Sequence, residues 1–246
     1  MAEQKGSDPL EKLTMLDDSG HRVFIIPAEV KGFFHRWKSR VQFVLMLIFL
    51  LMPWITVHGR QLLWFDVPNR RFLFFGLELY AHDAPLMFFI VFIFAISLML
   101  VTALFGRVWC GWACPQTVFI ESVYRRIERF VEGGYIERRK LRDRPMDFNK
   151  FIKTITKWFL YIAVSSVFAH SFMAYFAGAK PLIAMIQAPP AENFSYFLVV
   201  SFITGLLLFN FGWFREQFCI IMCPYGRFQS VLMDSQSVTV MYDVER

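Results

Sequence analysis

Residues 84–105 read APLMFFIVFIFAISLMLVTALF, and the stretch GRVWCGWACP follows them directly at residues 106–115. The first stretch contains no charged side chain over 22 residues. A helix rises about 1.5 Å per residue and the hydrocarbon core of a bilayer is about 30 Å thick, so about 20 apolar residues cross it. The sequence therefore predicts a transmembrane helix that ends beside a pair of cysteines.

Three further runs are free of charge, at residues 41–57, 158–178 and 194–214. The first is short and carries Pro53, which favours a kink or an early end. Hydrophobic residues make up 56% of the chain and charged residues only 19%, as in membrane proteins. Backbone groups in lipid have to be hydrogen-bonded within their own segment. We therefore predict an all-α integral membrane protein with four transmembrane helices.

The basic residues predict how these helices are oriented. Of the 26 Lys and Arg residues, 22 lie within 1–40, 107–157 and 213–246, and only four lie in the two remaining loops, 58–83 and 179–193. Because basic loops stay on the cytoplasmic side, both termini are predicted to be cytoplasmic. Since these charges flank spans, we expect membrane lipid, and no nucleic acid, as their partner.

The chain divides into a cytoplasmic tail at 1–40, a four-span domain at 41–230, and the start of a cytoplasmic C-terminal region at 231–246. Within loop 58–83, two apolar runs around a Pro-Asn turn predict a small periplasmic hairpin. The charged segment 117–144 predicts an amphipathic cytoplasmic helix that lies against anionic lipid.

An internal repeat relates the two halves of the four-span domain. Residues 105–115, FGRVWCGWACP, end the second span, and residues 214–224, FREQFCIIMCP, end the fourth. A phenylalanine follows the second cysteine of each motif by five residues, at Phe119 and Phe228. The chain is therefore predicted to contain two repeated helix pairs, each ending in Cys-x-x-x-Cys-Pro.

These motifs contain all four cysteines of the chain, Cys110, Cys114, Cys219 and Cys223. Residues four apart share one helix face, and two spans between the motifs place both on the same side of the membrane. In the cytosol, clustered thiols are more often metal ligands or redox groups than structural disulfides. Four thiolates suit Cu(I) or an iron–sulfur cluster, so we predict these cysteines as metal ligands and as catalytic redox residues.

Two further observations bear on this chemistry. Nearby basic residues are expected to favour the thiolate form, namely Arg107, Arg215 and Arg227. Cys-x-x-x-Cys-Pro also ends the bacterial ferredoxin run, which needs two more cysteines upstream. Those positions hold Arg107 and Leu104 in the first motif, and Glu216 and Trp213 in the second. Neither motif alone is therefore expected to bind a ferredoxin cluster. Inert thiols at helix ends are the remaining alternative.

These residues resemble one known family. Residues 106–119 and 215–230, with Gly59-Arg60-Gln61 and the loop around Phe65, look like the cytochrome c oxidase accessory proteins named CcoG, FixG or RdxA. The resemblance runs from about Val23 to the last residue. The wider group of membrane polyferredoxins, including NapH- and NosR-like proteins, shares the cysteine motif but not the loop.

The resemblance implies a bacterial inner-membrane protein that assists assembly of the cbb-type oxidase and reduces Cu(II) to Cu(I). Its expected partners are oxidase subunits or copper chaperones, and its expected metal is copper, at Cys110, Cys114, Cys219 and Cys223. Full-length family members continue into a ferredoxin-like domain with 4Fe-4S clusters, a further span and an immunoglobulin-like domain. We therefore expect this chain to be a fragment or a shortened form, without the ferredoxin ligands.

Three functions stay open at this stage. The leading hypothesis is a membrane redox protein and cupric reductase that acts in oxidase maturation. The second is an iron–sulfur electron conduit of the NapH or NosR type that takes electrons from quinol. The third is a non-enzymatic scaffold for oxidase assembly.

Overall fold

The computed structural model describes residues 32–57, 60–105, 108–145, 147–189 and 191–232. Most of the predicted tail at 1–40 and of the predicted C-terminal region at 231–246 therefore lies outside the described residues, as does Arg107. Within the described ranges the chain is mostly helical, with short strands confined to residues 56–80.

Three helices are long and apolar enough to cross a membrane: Pro85–Phe105, Phe148–Ala177 and Phe194–Phe214. The first coincides with α2 (Ala84–Phe105) and the second is α7. The third comprises α9 (Phe194–Leu207) and a π-helical turn, Leu208–Phe214. They confirm three of the four predicted spans. Few residues of the first and third are buried, as expected of helices that lipid surrounds.

The remaining predicted span, 41–57, is not confirmed as a full span. Helix α1 (Phe33–Leu51) begins earlier and ends earlier than predicted, and charged residues occupy its first half. The chain then forms a 3₁₀ turn, Met52–Trp54, and a short strand. Pro53 explains the early end, because it has no N–H to continue the helical hydrogen bonds.

The loop between α1 and α2 forms two small antiparallel sheets. β1 (Thr56–Val57) pairs with β2 (Arg60–Gln61), and a second sheet has the order β3-β4-β5, formed by Leu63–Asp66, Arg71–Phe74 and Leu77–Tyr80. β3 and β4 pair where the hairpin was predicted, and its periplasmic location stays a prediction. Sequence analysis missed β5, which follows a tight turn at Phe75 and Gly76, where φ is 48° and 90°.

Both sheets contact the C-terminal end of α7 (Phe148–Ala177). The indole Nε1 of Trp64 donates to the carbonyl of Phe176 (3.1 Å), and the amide of Gln61 donates to the carbonyl of Ala174 (3.5 Å). Beyond α7, Gly178 adopts φ 87° and the chain turns into α8 (Ala179–Gln187), a helix that was not predicted.

The predicted amphipathic segment 117–144 is several elements rather than one helix. Short helices α3 (Val108–Trp112) and α4 (Pro115–Phe119) lead through a π-helical turn, Ile120–Tyr124, into α5 (Arg125–Glu132) and α6 (Tyr135–Asp143). Gly133, at φ 93°, separates the last two.

The segment also packs against protein and does not simply lie on the membrane surface. Tyr124 is fully buried, and its hydroxyl shares a 2.6 Å hydrogen bond with Ser165 of α7. Its ring packs on those of Tyr161 and Phe211, at centroid distances of 4.9 and 5.3 Å. This aromatic core fixes α5, α7 and the end of the last span against one another.

Candidate redox site at the paired cysteine motifs

Both cysteine motifs end in the same backbone conformation. The N–H of Cys114 donates to the carbonyl of Trp109 (3.0 Å), and the N–H of Cys223 donates to that of Phe218 (2.9 Å), each five residues back. Each of these cysteines is extended, and a new helix begins at the proline that follows it. Proline disfavours helical geometry in the residue before it and is well suited to the first helical position. The predicted repeat is thus visible in the backbone.

Two side-chain pairs join the repeats across their interface. The amides of Gln116 and Asn210 exchange two hydrogen bonds of 3.0 Å each, and the hydroxyls of Tyr225 and Thr102 are hydrogen-bonded. Gln116 and Tyr225 hold equivalent repeat positions, directly after the motif proline. Each motif helix is therefore bonded to the span that precedes the other motif, in a near two-fold arrangement.

This arrangement brings the two cysteine pairs next to each other. Partial desolvation and the neighbouring thiols of Cys114, Cys223 and Cys110 together raise the pKa of the Cys219 thiol to about 11. The second motif is itself tightly folded, because a Cβ at Gly226 would lie 2.7 Å from the carbonyl oxygen of Cys219.

The thiols adjoin without forming a ligand cage. Cys219 is exposed, the other three cysteines are half-buried, and no disulfide joins them. Across the described ranges, no group of three or more His, Cys, Asp or Glu side chains is arranged to hold a metal ion. The assignment of the four cysteines as ligands and redox residues therefore stays a prediction.

The expected activation of Cys219 by nearby arginines is not found. The Arg215 guanidinium is directed to the carboxylate of Glu128 and donates to the hydroxyl of Tyr161 (3.0 Å). Arg227 donates to the carbonyl of Ile221 (2.9 Å). Desolvation is the main cause that raises the pKa of Cys219, and the neighbouring thiols and Glu216 add to the rise.

Sequence analysis missed the buried ion cluster around Glu128. This side chain is 3% exposed and contacts Arg215, Arg138 and Tyr161, whose hydroxyl donates to it at 2.8 Å. Burial alone would raise the pKa of Glu128, but the two arginines and the tyrosine hydroxyl lower it below its ordinary value. The surrounding Glu and Arg residues are typical of a surface helix, so nothing in the sequence distinguished the buried one.

Arg215 links this cluster to the second motif. It has φ 48°, a left-handed conformation that is unfavourable for a side chain with a Cβ. The equivalent position of the first repeat is Gly106. The Nε of Arg215 donates to the carbonyl of Gly212 (3.1 Å), and its other end is held by Glu128. The ion pair therefore fixes the turn that leads into Cys219.

The first motif is held from another side by α1. Gln42 is 3% exposed, and its amide donates to the carbonyl of Gly111 (3.3 Å), between the two cysteines of the motif. A buried amide at this position explains why the otherwise apolar half of α1 carries a polar residue.

Comparison with known proteins identifies iron–sulfur sequence families at both motifs. A family model described as a 4Fe-4S binding domain matches residues 87–133, and one described as a 4Fe-4S dicluster domain matches residues 214–246. A [4Fe–4S] cluster takes four thiolates, and each matched stretch contains two cysteines. The donor set fits a cluster in kind and number only if both motifs contribute, and Cys110, Cys114, Cys219 and Cys223 would then hold it.

Three curated relatives align with nearly the whole chain. RdxB of Cereibacter sphaeroides is 31% identical over 223 residues, covering 89% of this chain and 46% of the relative. The nitrogen fixation protein FixG of Rhizobium meliloti is 32% identical over 224 residues, covering 89% and 42%. RdxA of Cereibacter sphaeroides is 31% identical over 226 residues, covering 90% and 48%.

The chain thus spans slightly less than half the length of these relatives. No solved structure matches it. The apolar helices make it a membrane protein, and the iron–sulfur families at its motifs support a redox or electron-transfer role. With the resemblance of its motifs and the three relatives in agreement, the chain belongs to the FixG/RdxA family.

Proposed function

We propose that this protein assists assembly of a cbb-type cytochrome c oxidase by binding Cu(II) and reducing it to Cu(I) at one shared thiol centre. The observation that carries the proposal is the adjacency of the two repeats, which side-chain hydrogen bonds join at Gln116 and Asn210 and at Tyr225 and Thr102. Either motif alone supplies two sulfurs, whereas the pair supplies enough to reduce copper and retain it. Cu(I) is the oxidation state that thiolates prefer.

The reaction balances within the four cysteines. Two thiols form a disulfide and release two protons and two electrons. The two electrons reduce two Cu(II) ions to Cu(I). The other two thiols serve as ligands for the product. Because Cys219 is protonated at neutral pH, copper has to displace a proton there. A thiol or electron-transfer partner then reduces the disulfide to restore the centre.

Reduction can be measured on the purified full chain with a chromophoric Cu(I) chelator. We expect about one Cu(I) for each thiol that is oxidised, which is about two per disulfide. Each of the four single Cys→Ser variants should lose most of this activity. Ser97→Ala is the matched control, because its hydroxyl donates to the carbonyl of Ile93 within its own helix, away from the cysteine motifs. Full activity in all four cysteine variants would contradict the proposal and leave a scaffold.

An iron–sulfur conduit is the second candidate function. Its support is that both family matches, at residues 87–133 and 214–246, carry a 4Fe-4S description. Iron and acid-labile sulfide after anaerobic purification test it. About four of each per chain, lost in any cysteine variant, would favour a conduit fed by a donor such as quinol. Absence of both, with thiol-dependent copper reduction, would favour the first candidate.

The proposed location is the bacterial inner membrane, with four spans, both termini in the cytoplasm and the β-sheet in the periplasm. The distribution of basic residues supports this orientation. The sheet contacts the C-terminal end of α7 at Phe176, whereas Arg215, close to the cysteines, contacts Tyr161 fifteen residues earlier. Oxidase subunits or copper chaperones are the proposed partners.

A further inference from the structure

A cationic cleft lies between the start of α1 and α5. It has a volume of about 320 Å³ and is lined by His35, Ser39, Arg126 and Arg129. Every one of these side chains can donate a hydrogen bond, and no carboxylate among the described residues lines the cleft. The Nη2 of Arg126 donates to the hydroxyl of Ser39 (2.6 Å), which orients its guanidinium toward α1.

The two cleft arginines differ from their neighbours in how they are paired. Arg125 forms ion pairs with Glu121 and Glu216. The other cations around α5 form ion pairs with Glu128 or Glu132, and they are Arg138, Lys157 and Arg215. Among the described residues, neither Arg126 nor Arg129 has a carboxylate within ion-pair distance. Within the described part of the chain, the acids near α5 pair with these other cations, which leaves the two cleft arginines without a counter-charge.

Exposed aromatic side chains flank the cleft. Phe33 and Phe34 are 62% and 77% exposed, and Phe130, next to Arg129, is 87% exposed. Beyond them, an exposed apolar stripe continues along α1 through Phe43, Val44 and Leu47. Cations beside exposed aromatics at the start of an apolar helix are typical of the membrane–water boundary.

We propose that this cleft binds the phosphate of one anionic phospholipid. Arg126 and Arg129 donate to the phosphate oxygens, with Ser39 and His35 as further donors. The stripe on α1 provides the surface along which the acyl chains lie. A free phosphate ester would use the same donors, but it leaves the aromatic side chains and the stripe without a partner.

Binding of single lipids to the delipidated full chain in detergent tests the site, for instance by native mass spectrometry. We expect phosphatidylglycerol to bind more tightly than phosphatidylcholine, whose choline cation faces the arginines. The double variant R126Q/R129Q should weaken phosphatidylglycerol binding about tenfold. The control R139Q/K140Q removes two positive charges from exposed positions of α6, away from the cleft, and should bind as the wild type does.

Equal weakening in both double variants would show general charge attraction and overturn the site. Glycerol 3-phosphate that displaces the lipid with similar affinity would show a site for free phosphate esters and overturn the lipid assignment. A smaller loss in Ser39→Ala, about threefold, would support the cleft independently, because that change leaves the net charge unaltered. Unchanged binding in R126Q/R129Q would refute the proposal outright.

Discussion

At the scale of single residues, the Arg215 guanidinium pairs with a buried carboxylate and not with a cysteine thiolate. Arg215 lies four positions before Cys219, where a free cation would stabilise the thiolate. Glu128 holds it instead, together with Tyr161. Desolvation and the neighbouring thiols raise the pKa of Cys219, so this thiol stays protonated in the resting protein until a metal cation replaces its proton.

Titration of Cys219 tests this directly. The folded protein is alkylated at a series of pH values, and modification of Cys219 is quantified by mass spectrometry of the peptide that contains it after digestion. We expect the alkylation rate to rise with pH, with the midpoint of the rise at a pH of about 11. In the variant C110S/C114S/C223S the midpoint should fall, because neighbouring thiolates no longer oppose ionisation, yet burial should keep it above the ordinary cysteine value. A midpoint at or below about 8.5 in the wild type would mean that the arginines do activate the thiol.

Replacement of Glu128 should be among the most damaging single changes. Glu128→Gln leaves Arg215 and Arg138 buried without a full counter-charge, which costs about 3–5 kcal/mol. Glu192→Gln, an exposed loss of the same charge, should change stability by less than about 0.5 kcal/mol. Thermal unfolding in detergent measures both, and similar midpoints for the two variants would contradict the buried cluster.

The same residue predicts a pH dependence. Because the pKa of Glu128 is lowered in the folded protein, its contribution is complete above the ordinary value of 4.5 and is lost as pH falls through the lower, folded value. The wild type should therefore lose stability faster than Glu128→Gln over that acidic range. If the stability of the two proteins changed with pH in parallel, the lowered pKa of Glu128 would be contradicted.

Substitution of one glycine in each motif tests how tightly the two motifs are packed. Gly226→Ala places a Cβ 2.7 Å from the Cys219 carbonyl oxygen, so the second motif has to shift, whereas a Cβ at Gly111 meets nothing within 4 Å. We expect Gly226→Ala to lower copper reduction or metal retention and Gly111→Ala to leave both unchanged. Metal content and Cu(I) yield of the two purified variants provide the measurement, and equal effects would refute the expected difference.

At the scale of elements, the two repeats are coupled through the residue that follows each motif proline. Gln116 and Asn210 are each other's amide partners, so Gln116→Leu or Asn210→Leu alone should cost about 1–3 kcal/mol. The double variant should cost less than the sum, with a coupling of about 0.5–3 kcal/mol. Additive losses in thermal unfolding would deny the contact.

Thr204→Val is the control for that cycle. Its hydroxyl bonds only to the carbonyl of Val200 in its own helix, so it should not couple to Gln116→Leu. Thr102 and Tyr225 form the corresponding pair of the other repeat. The double variant of Thr102→Val and Tyr225→Phe should therefore also lose less stability than the sum of the two single variants.

The sequence predicted those elements whose pattern is local. Charge-free runs identified three spans, and the matched spacing around Cys110 and Cys219 identified the repeat. Strand β5 and helix α8 were missed because their residues show little alternation or periodicity, and tertiary contacts with neighbours decide their structure. The burial of Glu128 was invisible for the same reason: its partner Arg215 is 87 residues away in the chain.

At the scale of the whole molecule, α1 decides how many times the chain crosses the membrane. Its Gln42 contacts Gly111 in the first cysteine motif. Two turns later, the carbonyl of Phe49 accepts from the hydroxyl of Tyr175 (2.7 Å), near the end of α7 that carries the sheet. The helix thus extends from the cysteine end toward the sheet end, although charges in its first half shorten its apolar part.

Labelling with a membrane-impermeant maleimide in spheroplasts tests whether α1 crosses. Single cysteines replace Phe34, at the start of α1, or Val67, in the sheet turn, in a chain whose four native cysteines are serine; both positions are well exposed. If α1 crosses, Val67→Cys is labelled in intact spheroplasts, while Phe34→Cys requires permeabilisation. If α1 crosses, a protein with only Cys219 retained should behave as Phe34→Cys does, because four spans then separate the two positions. Labelling of Phe34→Cys and Val67→Cys from the same side would mean that α1 lies at one surface and that the chain has three spans, with the N-terminal segment on the side of the sheet.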